Sequence, residues 1–393
     1  MIRAHRIALD PTVEQGIALA RACGVARFTY NWALAEWNKR HAAGEKVSAN
    51  GLKKEWNALK REQFPWVMDS PKDANGRPFV NLDIAFQRFF KKKAKHPVFK
   101  KRGQHDSFYV SNDKFDVAGK IVRLPVIGEI RLREALRFTG KIVAGGVSLE
   151  AGNWFLSIRV QSEAEKLPVS DKAVGVDLGL KTAVVCSDGQ TFDAPKPLKA
   201  NLQKLRRLSK SHSRKQKGSS NRKKSQHRLA RLHARIKNIR RDWSHKVTTQ
   251  LIRENQTICL EDLNVKGMMA NRRLSRAISD VGWYELRRQL TYKAEWYGRE
   301  VRFIDRWLPS SKTCCNCGCR KDKLALSERV FRCTDCGLEL DRDLNAARNI
   351  LAAGLAVSAC GPEGSGSNLT VGTKPGRDEA GTRTGVSERV LTN

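Results

Sequence analysis

Two groups of residues have the types and spacings that can do chemistry. The first is sulfur. Cys314 and Cys317, then fifteen residues, then Cys333 and Cys336 give C-x2-C-x15-C-x2-C, a spacing within the zinc-ribbon range. Six of the ten cysteines fall between Cys314 and Cys336, which speaks for metal in a reducing compartment and against a disulfide scaffold. Gly318 and Gly337 follow the two knuckles, where the turn wants a positive φ. Four thiolates leave no open position, so the expected Zn²⁺ is structural. Cys315 could compete with Cys314 in the first knuckle, and Cys319 is surplus. The second group is carboxylate. Asp177 interrupts the apolar run from Ala173 to Leu180, which is costly unless it binds a cation or pairs. Glu261 ends the apolar run from Thr257, with Asp262 beside it. Asp341-Arg-Asp343 begins a helix, where an acid also suits the dipole. Each alone has an ordinary reading: Asp177 as a turn residue, Glu261 as a salt-bridge partner, Asp343 as a helix cap. Converging at the carboxyl edge of one sheet, they would hold two Mg²⁺ or Mn²⁺ ions about 3.5–4 Å apart, one activating water and one stabilising the leaving oxygen. That is the chemistry of phosphodiester hydrolysis.

Charge names the partner class. Of 393 residues, 74 are Lys or Arg and 40 are Asp or Glu, a formal net charge of +34. Such an imbalance repels itself unless a polyanion neutralises it. From Lys196 to Arg241 there are 18 Lys and Arg and no acid. Leu198, Leu202, Leu205 and Leu208 mark one helix there, and Leu229, Leu232, Ile236 and Ile239 a second, with Gly218 to Asn221 between them. This predicts a two-helix hairpin with an apolar seam and a cationic outside, suited to phosphate backbones. Its candidate contacts are Arg206, Arg207, Arg214, Lys215, Arg222, Lys223, Lys224, Arg240 and Arg241. Lys91, Lys92 and Lys93 open a further basic run. No stretch of 18 apolar residues occurs, and the start has no apolar core of a secretory signal.

The elements that must position these groups follow from periodicity. Residues 11–95 carry helical signals, with Phe28, Trp32 and Ala35 on one face and Leu52, Trp56 and Leu59 on another. Pro65, Pro71 and Asn75-Gly76 are expected to break this region into separate helices. From 106 to 162 the pattern turns to strands at 108–110, 121–124, 129–132 and 154–158. Ile2 to Leu9 alternates and could join the same sheet, so a small β-barrel interrupted by a helical segment fits. Residues 166–171 read as a linker. Strands are expected at 173–180, 182–186, 257–263 and 301–304, one helix at 279–300 and a last helix at 345–353. Beyond Gly361 the Gly-, Ser- and Thr-rich chain reads as disordered.

The order of strands and helices looks like a ribonuclease-H-like fold. Gly175-Val-Asp177-Leu-Gly179, Leu260-Glu261-Asp-Leu-Asn264, the paired knuckles and the run from Asp341 to Asn349 together resemble the TnpB family, OrfB-type proteins of insertion sequences. So do Ser310-Ser-Lys-Thr-Cys314 and the helix start from Ser279 to Trp283. Members are RNA-guided DNA nucleases related to type V CRISPR effectors. The likeness covers roughly residues 1–355 and is densest from 173 to 350. It implies a multidomain α+β fold: a RuvC nuclease domain with an inserted zinc ribbon, preceded by a wedge β-barrel carrying a helical recognition insert. The boundaries expected are 1–10 and 105–168 for the wedge and 11–104 for recognition. The nuclease would take 169–308 and 341–355, the ribbon 309–340, and 356–393 would be tail. The likeness implies Asp177, Glu261 and Asp343 as Mg²⁺ or Mn²⁺ ligands, with Asp343 preferred over Asp341 because it directly precedes the x-Asn-Ala stretch. It implies a guide RNA and a double-stranded DNA target, with base pairing reading the sequence, in the cytoplasm of a prokaryote, at the nucleoid; a monomer is expected, with the oligomeric state left open. Lys72 and Asn75 are where target-adjacent motif reading is expected, although Asn75-Gly76-Arg77-Pro78 departs from the family's more helical run. Cys315 departs too, where a small non-cysteine residue is usual. Two rival activities use the same parts: a carboxylate transposase that cuts and joins strands unguided, and an RNA-guided regulator that binds without cutting. A His-x-His transposase is excluded, since none of the eight histidines lies two residues from another.

Overall fold

The computed structural model describes residues 1–325 and 327–359. Strand β1 (Ile2–Asp10) alternates strictly, with Arg3, His5, Ile7 and Leu9 turned inward. Thr12 then caps helix α1 (Val13–Ala42) in a reciprocal box with Gln15, the arrangement that satisfies two free helix-end donors at once. Helices α2 (Ala49–Gln63) and α3 (Lys72–Phe90) follow. Their core is aromatic: Trp56 is fully buried and packs against Phe28, Trp32, Phe64 and Phe79.

The expected break at Asn75-Gly76 does not occur. Helix α3 runs through it and through Pro78. An interior proline costs about 3 kcal/mol, but Phe79, Leu82 and Phe86 are all buried along this helix, each contributing roughly 1.5–3 kcal/mol. Tertiary packing therefore wins over the local breaker.

Six strands come next: β2 (Ser107–Ser111), β3 (Asp116–Ala118), β4 (Ile121–Leu124), β5 (Gly128–Leu132), β6 (Lys141–Glu150) and β7 (Asn153–Gln161). They form one sheet in the order β2-β6-β7-β1-β5-β4-β3. β1 is its hinge, pairing antiparallel with β7 from Ile2 to Ala8 and with β5 at Leu9 and Asp10. The expected barrel is thus a hydrogen-bonded ladder with two edges, β2 and β3. β6 escaped the strand pattern because Gly145-Gly146 reads as a break. A Cβ on Gly145 would meet the Phe115 ring at 2.8 Å, so the glycine makes room for that ring.

The second half is built on strands β8 (Ala173–Asp177), β9 (Val184–Cys186) and β10 (Thr191–Phe192), then helices α4 (Pro197–Ser213) and α5 (Ser220–Glu254). Strand β11 (Thr257–Glu261) follows, then α6 (Val265–Met268), α7 (Ser275–Val281), α8 (Trp283–Tyr297) and β12 (Glu300–Ile304). The expected helix 279–300 is two helices, because Gly282 takes φ 78° and ends α7. A ribbon hairpin of β13 (Val330–Arg332) and β14 (Glu339–Asp341) leads into α9 (Arg342–Ala359). Residues 356–359 of the expected tail thus close a helix, and 360–393 lie outside the described residues.

The central sheet has the order β10-β9-β8-β11-β12. β11 runs parallel to both β8 and β12, while β9 is antiparallel to β8. Side chains alternate between the faces of a strand. Val174, Val176, Ile258 and Leu260 share one core with Val247 and Leu251 of α5 and Leu286 and Leu290 of α8. Cys259 faces the other way and joins Ile350 of α9. Gly175 shares that second face: a Cβ there would collide with the Ala347 carbonyl oxygen and reach 2.6 Å from the Leu351 nitrogen. Helix α9 therefore lies flush on β8. Gly175→Ala should cost about 1–3 kcal/mol, the usual range for overpacking, read as a lower thermal midpoint. A midpoint equal to the parent's would mean that α9 does not press on the strand.

Candidate metal-dependent nuclease site

Parity and register assemble the carboxylates. Asp177 is two residues past Gly175 and Glu261 two past Cys259, so both belong to the face that α9 covers. Leu260 is opposite Val176 in the parallel register, which puts Glu261 and Asp177 side by side at the ends of β8 and β11. Asp343 sits in the first turn of α9, one turn before the Ala347 that presses on Gly175. Three elements thus bring one carboxylate each to one sheet edge.

Their electrostatics show the closeness. Burial, then the charges of Glu261 and Asp343, push the Asp177 carboxyl from the ordinary range up to about 7. The neighbouring acids have other partners. Asp341 Oδ1 accepts from the backbone N–H of Asp343 at 2.9 Å and of Leu344 at 3.1 Å, so it caps α9. Asp262 pairs with Arg287 and Arg306, and the Arg287 contact above all holds its carboxyl low. Asp343 meets only partial compensation, from Arg342 at 3.4 Å and Arg329 at 3.7 Å.

Sequence reasoning gave no role to Ser310, Asn345 and Asn349. The Ser310 hydroxyl donates to Glu261 Oε1 at 2.6 Å. Asn345, fully buried, donates to the Thr313 carbonyl at 2.7 Å and accepts from the Cys315 N–H at 2.9 Å. Asn349 donates to the Ser310 and Thr313 carbonyls at 2.8 and 2.6 Å. The available signal was their i, i+4 spacing on one helix face. These bonds latch α9 to the segment that enters the ribbon.

In the ribbon, Cys314, Cys317, Cys333 and Cys336 bring their sulfurs within 4.8 Å of one another. Cys314 and Cys336 stand 3.6 Å apart, Cys317 and Cys333 3.5 Å. Backbone N–H groups of Cys336 and Asp335 pull the Cys333 thiol down to about 6, favouring the thiolate that binds metal. Gly318 and Gly337 take φ 75° and 71°. Cys315 is outside the cluster, its backbone held by Asn345. Among the described residues no other group of three or more such ligand atoms closes to that distance.

The basic residues divide by exposure. Lys91, Lys92, Lys93, Arg206, Arg207, Arg214, Lys223, Lys224 and Arg241 are exposed, and Lys215 is half-buried. Arg222 donates to the Lys215 and His212 carbonyls and so closes the end of α4. Arg240 donates to the Ser279 carbonyl. Lys72 is exposed, whereas Asn75 is 3% exposed inside α3.

Three family models match the chain. Residues 156–272 match one described as "Probable transposase" of the OrfB IS605 kind, residues 283–350 a "Cas12f1-like, TNB domain", and residues 1–46 a "Helix-turn-helix domain". The chain is 39% identical over 372 residues to a protein of Streptomyces pristinaespiralis named "Putative RNA-guided DNA endonuclease", with 91% of each chain covered. It is 38% identical over 383 residues to one of Escherichia coli K12 named "Putative RNA-guided DNA endonuclease InsQ", with 92% of this chain and 94% of that one covered. The chain belongs to the TnpB family of RNA-guided DNA endonucleases. Its fold is similar to that of Cas12f1 in a solved complex with sgRNA and target DNA, at TM-score 0.55 and 16% identity, over 86% of this chain and 82% of that one. No described helix is long and apolar enough to cross a membrane.

A pH dependence follows from Asp177. With its folded value near 7 and the usual unfolded value near 4, the folded chain keeps a proton that the unfolded chain has lost between those limits. Stability without divalent metal therefore falls as pH rises through this window and levels off above 7. Asp177→Asn should raise the thermal midpoint of magnesium-free protein little at pH 4 and most above pH 7. Added Mg²⁺ should raise the midpoint of the parent but not of the variant. A variant gain independent of pH would contradict the assignment.

Proposed function

We propose that this chain is an RNA-guided DNA endonuclease that hydrolyses phosphodiester bonds at Asp177, Glu261 and Asp343. The reading rests on one observation above others: three carboxylates, from β8, β11 and the start of α9, share one face and one edge of the sheet. The acids next to them are taken up elsewhere, Asp262 by two arginines and Asp341 by the helix end. Three acids gathered in one partly buried place, with Asp343 only partly compensated by Arg342 and Arg329, favour a divalent cation over any neutral occupant. Two Mg²⁺ or Mn²⁺ ions held there would activate a water and stabilise the leaving oxygen. The chain's own part is to fix the ligands: Ser310 orients Glu261, the flush packing of α9 sets Asp343, and the strand end sets Asp177.

The strand order and directions of the central sheet support a ribonuclease-H-like, RuvC-type nuclease domain over 169–308 and 341–355. The four thiols of 309–340 suit one structural Zn²⁺. The sheet of 1–10 and 105–168 would be the wedge and 11–104 the recognition insert, between them gripping a guide RNA. The exposed cations of α4, α5 and the Lys91–Lys93 run suit RNA and DNA backbones. The stretch from Lys196 to Arg241 contributes no carboxylate of its own.

Two experiments test the reading. In the first, RNA that copurifies with the chain is sequenced, and a duplex matching its variable end is offered with Mg²⁺. Asp177→Ala should abolish cutting and leave RNA and target binding within about two-fold. Cutting by the variant at the parent's rate would sink the site assignment, and joined strands as the main product would make the chain a transposase. In the second, Cys333→Ser should lose the bound zinc, loosen the latch onto α9 and abolish cutting with it. Full activity in a zinc-free variant would refute the coupling.

A further inference from the structure

The segment between β12 and the ribbon begins and ends on the same catalytic carboxylate. Ile304, the last residue of β12, pairs with Glu261. Six residues later, the Ser310 hydroxyl donates to Glu261 at 2.6 Å. Between these anchors the chain is pinned at several points. The Trp307 N–H donates to Asp305 Oδ1 at 2.8 Å, the Leu308 N–H to the Asp305 carbonyl at 3.2 Å, and the Ser310 N–H to the Leu308 carbonyl at 2.8 Å. Arg306 is ion-paired with Asp262, and Asn349 holds the Ser310 carbonyl. At the tip stands Trp307, 83% exposed, the most exposed aromatic ring among the described residues.

A lone exposed apolar side chain needs no explanation. A tryptophan on a turn fixed at both ends to a metal-binding carboxylate is a different case. The backbone that carries the ring is held in place beforehand. Around the turn Arg287 and Arg306, both paired with Asp262, are balanced by Asp262 and by Asp305, which accepts from the Trp307 N–H, so the ring stands in a charge-balanced setting. A flat, neutral base of a strand led to that metal-binding carboxylate is the occupant that fits an exposed ring so placed. We propose that Trp307 is a stacking platform for a base of the DNA strand entering the Asp177–Glu261–Asp343 site. Stacking is indifferent to base identity, since every base has a π-face, which suits an enzyme whose sequence choice is made elsewhere by pairing. The proposal rests on the endonuclease reading and adds a contact that aligns the strand for cutting.

The test uses full-length chain with Trp307→Ala, Trp307→Phe and Asp177→Ala. Copurified RNA and its matched duplex serve for cleavage. Trp307→Ala should slow single-turnover cleavage about ten-fold or more, the scale of one lost base stack, with RNA retention, duplex binding and the Mg²⁺-induced midpoint shift unchanged. Trp307→Phe should stay within about three-fold of the parent. Separately, single-stranded DNA carrying 2-aminopurine at successive positions is bound to Asp177→Ala and to Asp177→Ala/Trp307→Ala. Quenching at one position, relieved in the double variant, is the expected result. Cleavage by Trp307→Ala at the parent rate, or a Phe variant as slow as the Ala variant, or no Trp307-dependent quenching would overturn the platform. The fluorescence arm needs neither guide nor cutting. Loss of guided cleavage in the parent would thus strike the endonuclease reading while the platform is still tested on its own.

Discussion

The contact on which the candidate site depends is the flush packing of α9 against β8. Backbone meets backbone there: the Ala347 carbonyl and the Leu351 nitrogen occupy the space where any side chain at position 175 would sit. A second close approach repeats the device, since a Cβ on Gly354 of α9 would lie 2.7 Å from Cys259 Cβ on β11. The glycine on the strand brings backbone against backbone, and the glycine on the helix makes room for the Cys259 side chain. Asp343 is one helical turn from the first of these contacts. A helix standing off by one methyl layer would carry its carboxylate away from Asp177 and Glu261, and the shared edge would become three separate acids.

That packing has an electrostatic cost. Bringing Glu261 and Asp343 to a partly buried Asp177 raises its carboxyl to about 7, so without a cation the chain keeps a proton there near neutrality. Each tenfold change in proton affinity corresponds to about 1.4 kcal/mol, so a rise of this size is a substantial fraction of a domain's stability. Folding tolerates it because the surrounding apolar core is large, because Asp262 holds two arginines, and because Arg342 offsets part of the push. Asp341 caps the helix, where the dipole favours it, and still adds a smaller push to Asp177. The arrangement concentrates negative potential at one edge while leaving the rest of the surface cationic.

Much of this was legible in the sequence. Asp177 stood out because an acid interrupts an apolar strand, and Glu261 because an acid ends one. The continuous apolar runs located the strands that carry them. The four-cysteine spacing is local and therefore readable, and the structure groups the same four sulfurs while leaving Cys315 on Asn345. What failed was where tertiary packing outvotes local signals. Asn75-Gly76 read as a breaker, yet α3 continues through it because Phe79, Leu82 and Phe86 are buried along it. β6 was not among the expected strands, since its Gly145-Gly146 pair weakens the strand pattern, yet Gly145 makes room for Phe115 there. The charge pattern located the cationic hairpin but could not say which arginines serve the fold. Arg222 and Arg240 look like their neighbours in sequence and differ only in having carbonyls within reach. Ser310, Asn345 and Asn349 were invisible for the same reason, since their partners are distant in the chain.

The latch those three residues form explains why a metal ribbon sits inside the chain between Glu261 and Asp343. The ribbon is small, with Phe331 as its one fully buried aromatic residue. By itself it buries too little apolar surface to hold a fixed orientation, which is why such units use metal as their core. Asn345 and Asn349 accept this rigid unit through Thr313, Cys315 and Ser310, and Ser310 in turn touches Glu261. Two of the candidate carboxylates, one on a strand and one at the start of the helix that carries Asn345 and Asn349, are thus linked through the same short segment leading into the first cysteine knuckle. Distortion of the ribbon moves both together, whereas Asp177 is fixed by the sheet alone. The thiols therefore stand outside the chemistry yet help to set the geometry in which it occurs.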